Sequence, residues 1–139
     1  WAALGLAHTL LGNFHSAEKA YREALYLAPC SPWYAHNLGH LLDIALDRPR
    51  DALKYLAAAH RSLPHEPEIA GSYAHALARA DRWSEAVPLL ARALDRDRDA
   101  AEAMLRDWLS REPVGSLPRP SRPPPGDARD EDPRRDAQD

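Results

Sequence analysis

His36 and His40 stand four residues apart in the stretch YAHNLGHLL, and Asp43 follows three residues later. On a helix four residues make about one turn, so both imidazoles leave the same face, with Asp43 one turn further along it. Three chemistries suit such a set. Helical H-x-x-x-H is a legitimate spacing for metal ligands, and a carboxylate one turn on could join them. A histidine near a carboxylate and a hydroxyl could serve acid–base chemistry. The same side chains can simply line a groove that binds a partner. Metal ligation also needs acceptors behind the rings to hold their tautomers, and the spacing assigns none. The choice depends on the helices that carry these residues.

Composition narrows the choice. A chain of 139 residues, 45% of them apolar, suits one domain with a modest core. A net charge of -3 argues against binding nucleic acid or a polybasic attachment to membranes. Lys19 and Lys54 are the only lysines, and the abundant arginine reads as a compositional trait and not as a binding patch. Cys30 is the single cysteine, which rules out an intrachain disulfide. No apolar run approaches the ~20 residues that span a bilayer. A P-loop, a dinucleotide fingerprint and a cysteine metal cluster are all missing, so no cofactor is expected. The chain opens at Trp1 inside a helical pattern, which suggests a piece of a longer protein; a cytoplasmic location is favoured.

Internal periodicity carries most of the information. Leu4 and Leu38, like Gly5 and Gly39, are 34 residues apart. Ala17, Ala52 and Ala86 are separated by 35 and 34, and Ala24, Ala59 and Ala93 keep the same intervals. Pro29 and Pro64 are 35 apart. The first unit holds Trp1, Leu4, Gly5, Ala17, Tyr21, Ala24 and Pro29. It resembles the tetratricopeptide repeat, W-x2-L-G-x2-Y…A-x3-F…A…P. The departures are His8 for the aromatic after the glycine, Leu56 and Leu90 for the aromatic at Tyr21, and Arg98 where a third proline would stand. The resemblance covers residues 1 to 98, in units 1–31, 32–66 and 67–98. The extra residue of the second unit is expected in the turn DRPRDA, where a surface loop absorbs it cheaply.

The physics of these positions stands without the family. Gly5, Gly39 and Ala74 are small so that a partner helix can approach, and Ala17, Ala52 and Ala86 answer from the other helix. Leu4, Leu38, Tyr73, Tyr21, Leu56 and Leu90 fill the space between. Pro29 and Pro64 end helices, because proline lacks an N–H and disfavours helix before it. A single helix pair cannot bury its apolar face, so several must stack. The all-α reading places helices near 1–12, 16–27, 32–46, 50–62, 66–80 and 84–96, with Ser16, Ser31 and Ser84 as N-caps and Pro88 near the start of the last. A seventh helix over 99–110, with Ala101, Met104, Leu105 and Trp108 on one face, is expected to cap the stack. Trp1, Phe14 and Trp83 are assigned with Trp108 to packing, and Cys30 is expected to be inert. From residue 111 the composition turns to Pro, Arg and Asp and predicts a disordered tail, whose PRPSRPPP has P-x-x-P spacing.

The resemblance implies an α-solenoid whose first helices line a concave groove that takes a peptide. Carried over residue by residue, the groove would hold Leu6 and Thr9 from the first unit, Trp33, His36, Asn37, His40 and Asp43 from the second, and Ser72, His75 and Arg79 from the third. Asn37 would meet the peptide main chain and Trp33 would offer an aromatic anchor. Only Asn37 matches the family's clamp for chaperone C-termini, so that ligand is not expected. His36, His40, Asp43 and His75 are the minor candidates for a metal. Ser72, His75 and Asp43 lack an oxyanion hole and a nucleophile elbow, so catalysis is not expected of this chain. Imidazoles titrate near ~6.5, so partner affinity is expected to vary between about pH 5.5 and 7.5. The function so read is non-enzymatic protein or peptide binding by a scaffold or adaptor. The alternative is the repeat region of a larger enzyme, such as a transferase or kinase, with its catalytic domain upstream. Ligand identity and oligomeric state are not legible.

Overall fold

The computed structural model describes residues 1–111. The predicted disordered tail and its P-x-x-P run lie outside the described residues. Seven α-helices follow one another: α1 (Ala2–Leu10), α2 (Phe14–Leu27), α3 (Pro32–His40), α4 (Pro49–Ser62), α5 (Pro67–Arg79), α6 (Trp83–Leu94) and α7 (Arg98–Arg111). No strand occurs among the described residues. The architecture is an α-solenoid: α1 pairs with α2, α3 with α4 and α5 with α6, and each pair packs on the next. Among the described residues no helix is long and apolar enough to cross a membrane.

Close approach within a pair depends on the small residues. A Cβ built on Gly39 would lie 2.5 Å from Leu56 Cγ, and one on Gly5 would lie 2.7 Å from the Tyr21 ring. Leu56 is fully buried with Ala17, Leu38, Leu42 and Ala52 in one core cluster. A second cluster joins α5, α6 and α7 through Ala74, Leu77, Ala86, Leu90, Ala101 and Leu105. Phe14, Trp83 and Trp108 are partly buried against these clusters, and Trp1 against a third one formed by α1, α2 and Tyr34. Cys30 is free and exposed.

The turns inside the three pairs share one geometry. Gly12, Asp47 and Asp81 adopt positive φ (78°, 52° and 63°) and recur at intervals of 35 and 34 residues. The next residue, Asn13, Arg48 or Arg82, is the N-cap of the following helix. Aspartate tolerates the left-handed conformation better than most residues with a Cβ. Because the three turns are equally long, the extra residue of the second unit is not in DRPRDA, as the sequence suggested. It lies between Gly39 and Asp47, where α3 continues as a π-helical turn, Leu41–Ala45. A π turn takes up one additional residue inside a helix without breaking it. Accordingly Arg48 N–H reaches back to Leu42 O, one residue further than Asn13 to His8 or Arg82 to Leu77.

One local expectation holds and others change. Ser31 is an N-cap whose Oγ accepts from Tyr34 N–H. Ser16 and Ser84 lie inside helices, because α2 and α6 start earlier, at Phe14 and Trp83, whose rings pack on the core. Pro88 therefore falls inside α6 and removes one mid-helix hydrogen bond. Met104 is 43% exposed, although its α7 neighbours Ala101 and Leu105 are fully buried. Leu4, placed between the helices by its equivalence to Leu38, is 45% exposed whereas Leu38 is fully buried. The reason is positional, since α2 packs on α3 but no described helix precedes α1.

Candidate functional site

α3 with its π turn lies beside α5, and these two elements gather most of the residues singled out above. His36 Nε2 is 2.7 Å from Ser72 Oγ, and Ser72 Oγ is 3.3 Å from His40 Nδ1. A hydroxyl carries a single proton, so Ser72 donates to one ring nitrogen at most and accepts from the other. The two imidazoles stack with centroids 5.7 Å apart, and Trp33 meets His36 edge-on at 5.8 Å. One turn along, Asp43 Oδ2 is 2.5 Å from His75 Nδ1 and Asp43 Oδ1 accepts from Arg79 Nη1 at 2.7 Å. Arg79 also donates to the Asp43 carbonyl and to Asp47. The π turn carries Asp43, so the inserted residue sits in the element that delivers this carboxylate. Nothing in the sequence flagged Asp47 as the second acid on Arg79.

The structure gathers these residues but buries most of them, where the sequence suggested exposure. His36, Asn37, His40, Asp43, Ser72 and His75 were expected on an open groove wall, and each is buried, from 0% exposure at His36 to 9% at His40. Thr9 is buried too, with its hydroxyl donating to Gly5 O at 2.8 Å, so it presents nothing to a groove. Leu6, Trp33 and Arg79 are half-buried. Buried polar groups need partners, and Ser72 supplies them to His36 and His40, and Asp43 to His75 and Arg79. They join the second unit to the third at the level of single hydrogen bonds. Among the described residues no group of three or more His, Cys, Asp or Glu is placed to hold a metal ion.

A cleft of about 530 Å³ opens between α5 and α7. His40, Gly71 and Ser72 reach it from the α3–α5 side, and Leu90 and Leu94 from α6. Met104, Asp107, Trp108 and Arg111 form the α7 wall, with Pro67 and Glu68 on α5 completing the rim. Trp108 lies 4.6 Å from the His75 ring, centroid to centroid, and over Gly71, where a Cβ would meet the indole at 3.7 Å, an ordinary contact. The sequence marked Trp108 and Met104 only as the apolar face of a cap. Their contribution to the cleft was hidden because α7 was read as covering the stack's end and not as facing α5 across a gap.

Burial also changes the pH argument. Removal from water, reinforced by the neighbouring His40 and opposed by Asn37, pushes the His36 imidazole down to about 3. His36 is therefore neutral throughout pH 5.5 to 7.5 and contributes no switch there, contrary to the expectation from its type. It contributes to stability instead. The unfolded imidazole takes a proton below about 6.5 and the folded one only near 3. Between those values the unfolded chain binds more protons, so acid weakens the fold. Lowering the pH from 7.5 to 5 is expected to cost about 2 kcal/mol through this group. Urea unfolding at both pH values, compared with His36→Gln, checks it; equal losses in the two proteins would exclude His36 as the source.

Residues 43–109 match the tetratricopeptide repeat family. That stretch is a tetratricopeptide repeat region. The match begins in the π turn and runs into α7. Similarity to a curated protein spans more of the chain: Protein FlbA of Caulobacter vibrioides is 35% identical over 101 residues, 73% of this chain. The chain spans 17% of the length of that relative. No solved structure matches. Tetratricopeptide repeats generally mediate interaction between proteins.

Proposed function

We propose that this chain binds a partner protein by taking a short segment of it into the cleft between α5 and α7, in a non-catalytic scaffold or adaptor role. The supporting observation is the cleft itself. It combines apolar walls from Leu90, Leu94, Met104 and Trp108 with the hydroxyl of Ser72 and the ring of His40 at its floor. That mixture of an apolar slot with a few fixed polar groups is the usual character of a ligand-binding pocket. Burial of His36 and Asn37 moves the expected contacts away from the second repeat and toward the α5–α7 side. The ligand this favours is an extended segment with one large apolar side chain for the slot. Arg111 and the carboxylates Glu68 and Asp107 flank it with mixed charge.

A peptide-display selection against the immobilised chain tests the reading. Selected peptides are expected to lose at least about tenfold in affinity to Gly71→Leu, which fills the slot beside Trp108, and to Trp108→Ala, which removes an anchor. Unchanged affinity for both variants would place binding elsewhere. The alternative, that the chain is the repeat region of a larger enzyme, draws on its small share of the FlbA-like relative. Sequencing the gene upstream of the codon for Trp1 separates the two.

A further inference from the structure

Basic side chains of α2 and α4 converge on a pocket of about 210 Å³ between the two helices. Arg22 reaches it from α2, and Arg48, the N-cap of α4, reaches it with Arg50, Lys54 and Tyr55. Among the described residues Asp51 is the single acid in its lining. One carboxylate behind the pocket holds two guanidiniums side by side. Glu18 Oε2 accepts from Arg22 Nη2 at 2.7 Å and Nε at 3.0 Å, and both Glu18 oxygens accept from Arg48 Nη1 at 3.3 Å. The Glu18 side chain is 14% exposed, whereas those of Arg22 and Arg48 are 42% and 41% exposed. Burial pushes the Glu18 carboxyl up, yet Arg22 and Arg48 together hold it below its ordinary value. The charge is thus anchored at the back and open at the front. Arg22 Nη1 also donates to Tyr55 Oη at 2.7 Å, and a hydroxyl that accepts still has its own proton to donate. The Lys54 ammonium lies 4.9 Å from the centroid of the Tyr55 ring. Asp51 pairs with Arg48 at 2.8 Å, while Arg50 and Lys54 make no ion pair among the described residues. Glu18 and Asp51 therefore balance Arg22 and Arg48, and two positive charges are left over. Composition hid this surplus, because a net charge of -3 averages over the whole chain.

We propose that this pocket docks a phosphorylated side chain of a partner protein, at a site separate from the cleft between α5 and α7. Charge complementarity selects the ligand. A phosphate monoester carries close to two negative charges at neutral pH and offers three acceptor oxygens. The surplus of two cations answers the charge. Donors on Arg50, Lys54 and Tyr55, with Nη2 of Arg48, answer the oxygens, since no group of the described chain takes them up. Guanidiniums already fixed by Glu18 meet such an anion without first losing side-chain freedom. A carboxylate would bring half the charge and leave one cation unanswered. A nucleic acid spreads its charge along a strand, whereas these cations gather at one point. The pocket is also smaller than the ~300–1,000 Å³ of a site for a whole small molecule, so it suits one charged headgroup on a longer chain.

Nitrogen-15 NMR on the full 139-residue chain tests the proposal, at constant ionic strength and with N-acetyl-phosphoserine amide as the probe. Shifts are expected at Arg22 and across residues 48–55, saturating with a dissociation constant on the order of 1 mM, as for one charge-assisted headgroup. N-acetyl-glutamate amide is expected to bind at least about tenfold more weakly. Arg50→Ala with Lys54→Ala, both at exposed positions, is expected to weaken the phosphoserine probe at least about tenfold. Asp51→Asn removes the competing carboxylate and is expected to tighten binding about threefold. Neither variant removes a buried group, so the chain stays folded for the comparison. Four results would overturn the proposal. They are no saturation by about 20 mM probe, equal affinity for the glutamate probe, an affinity unmoved by the double variant, and a single-stranded oligonucleotide that shifts the same residues at lower concentration than the phosphoserine probe. The probes need nothing from the cleft, so this proposal and the reading of the cleft stand or fall separately.

Discussion

Asp43→Ala is expected to destabilise the fold by about 3–5 kcal/mol, the usual cost of breaking a buried ion pair from one side. The carboxylate is 1% exposed and serves His75 through one oxygen and Arg79 through the other. Its loss leaves a largely buried guanidinium, 15% exposed, with the backbone carbonyl of residue 43 and the surface carboxylate of Asp47 to answer it. Asp43→Asn retains the shape but turns one acceptor into a donor that faces other donors, so about half of the loss is expected to remain. Asp47→Ala, at an acid that is 58% exposed, is expected to cost less than about 1 kcal/mol. Urea unfolding followed by circular dichroism ranks the three. A small effect of Asp43→Ala would mean that Arg79 and His75 find water or new partners, and the joint between the second and third repeats would then be less tightly built than its distances suggest.

Gly39→Val is expected to cost about 2–4 kcal/mol, through overpacking and not through backbone strain. The new Cβ would start 2.5 Å from Leu56 Cγ, 2.8 Å from Leu56 Cδ2 and 3.3 Å from the Ala52 carbonyl oxygen. Leu56 is fully buried, so it cannot swing into solvent, and α4 must move away from α3. The better helix propensity of valine recovers only a few tenths of a kcal/mol. A double-mutant cycle isolates the cause. Leu56→Ala alone leaves a cavity and is expected to cost about 2–5 kcal/mol, yet combined with Gly39→Val it should cost clearly less than the sum. Simple additivity would show that the clash is not between these two side chains.

These expected results differ in how far the sequence alone could have produced them. Gly39 was recognisable as a close-approach position because small and large residues recur at intervals of 34 and 35. Periodicity reports on helix pairing because each repeat meets its neighbour through the same few side chains. Helix number, order and pairing, and the turn breakers Pro29 and Pro64, followed from it. Asp43 was visible only as a polar residue on the same face as His36 and His40. Its pairing with Arg79 required knowing that α3 ends in a π turn, and no local propensity announces one extra residue inside a helix.

Burial at the candidate site lay furthest from the sequence. His36, Asn37 and Ser72 are polar types on the helix face assigned to the groove, so pattern reasoning put them on a wall facing water. Their fate depends on how closely α3, α5 and α7 approach one another, a sum of many contacts to which Trp108 over Gly71 and the stacked imidazoles contribute. The amino-acid order by itself determined that this protein is a stack of helix pairs, since hydrophobic spacing is a local property that survives without coordinates. Only the tertiary structure decided which polar residues would be sealed in the joint between repeats and which would be left to face a cleft. Those outcomes turn on distances between segments some 30 residues apart, and accessibility belongs to the assembled surface and not to any one helix.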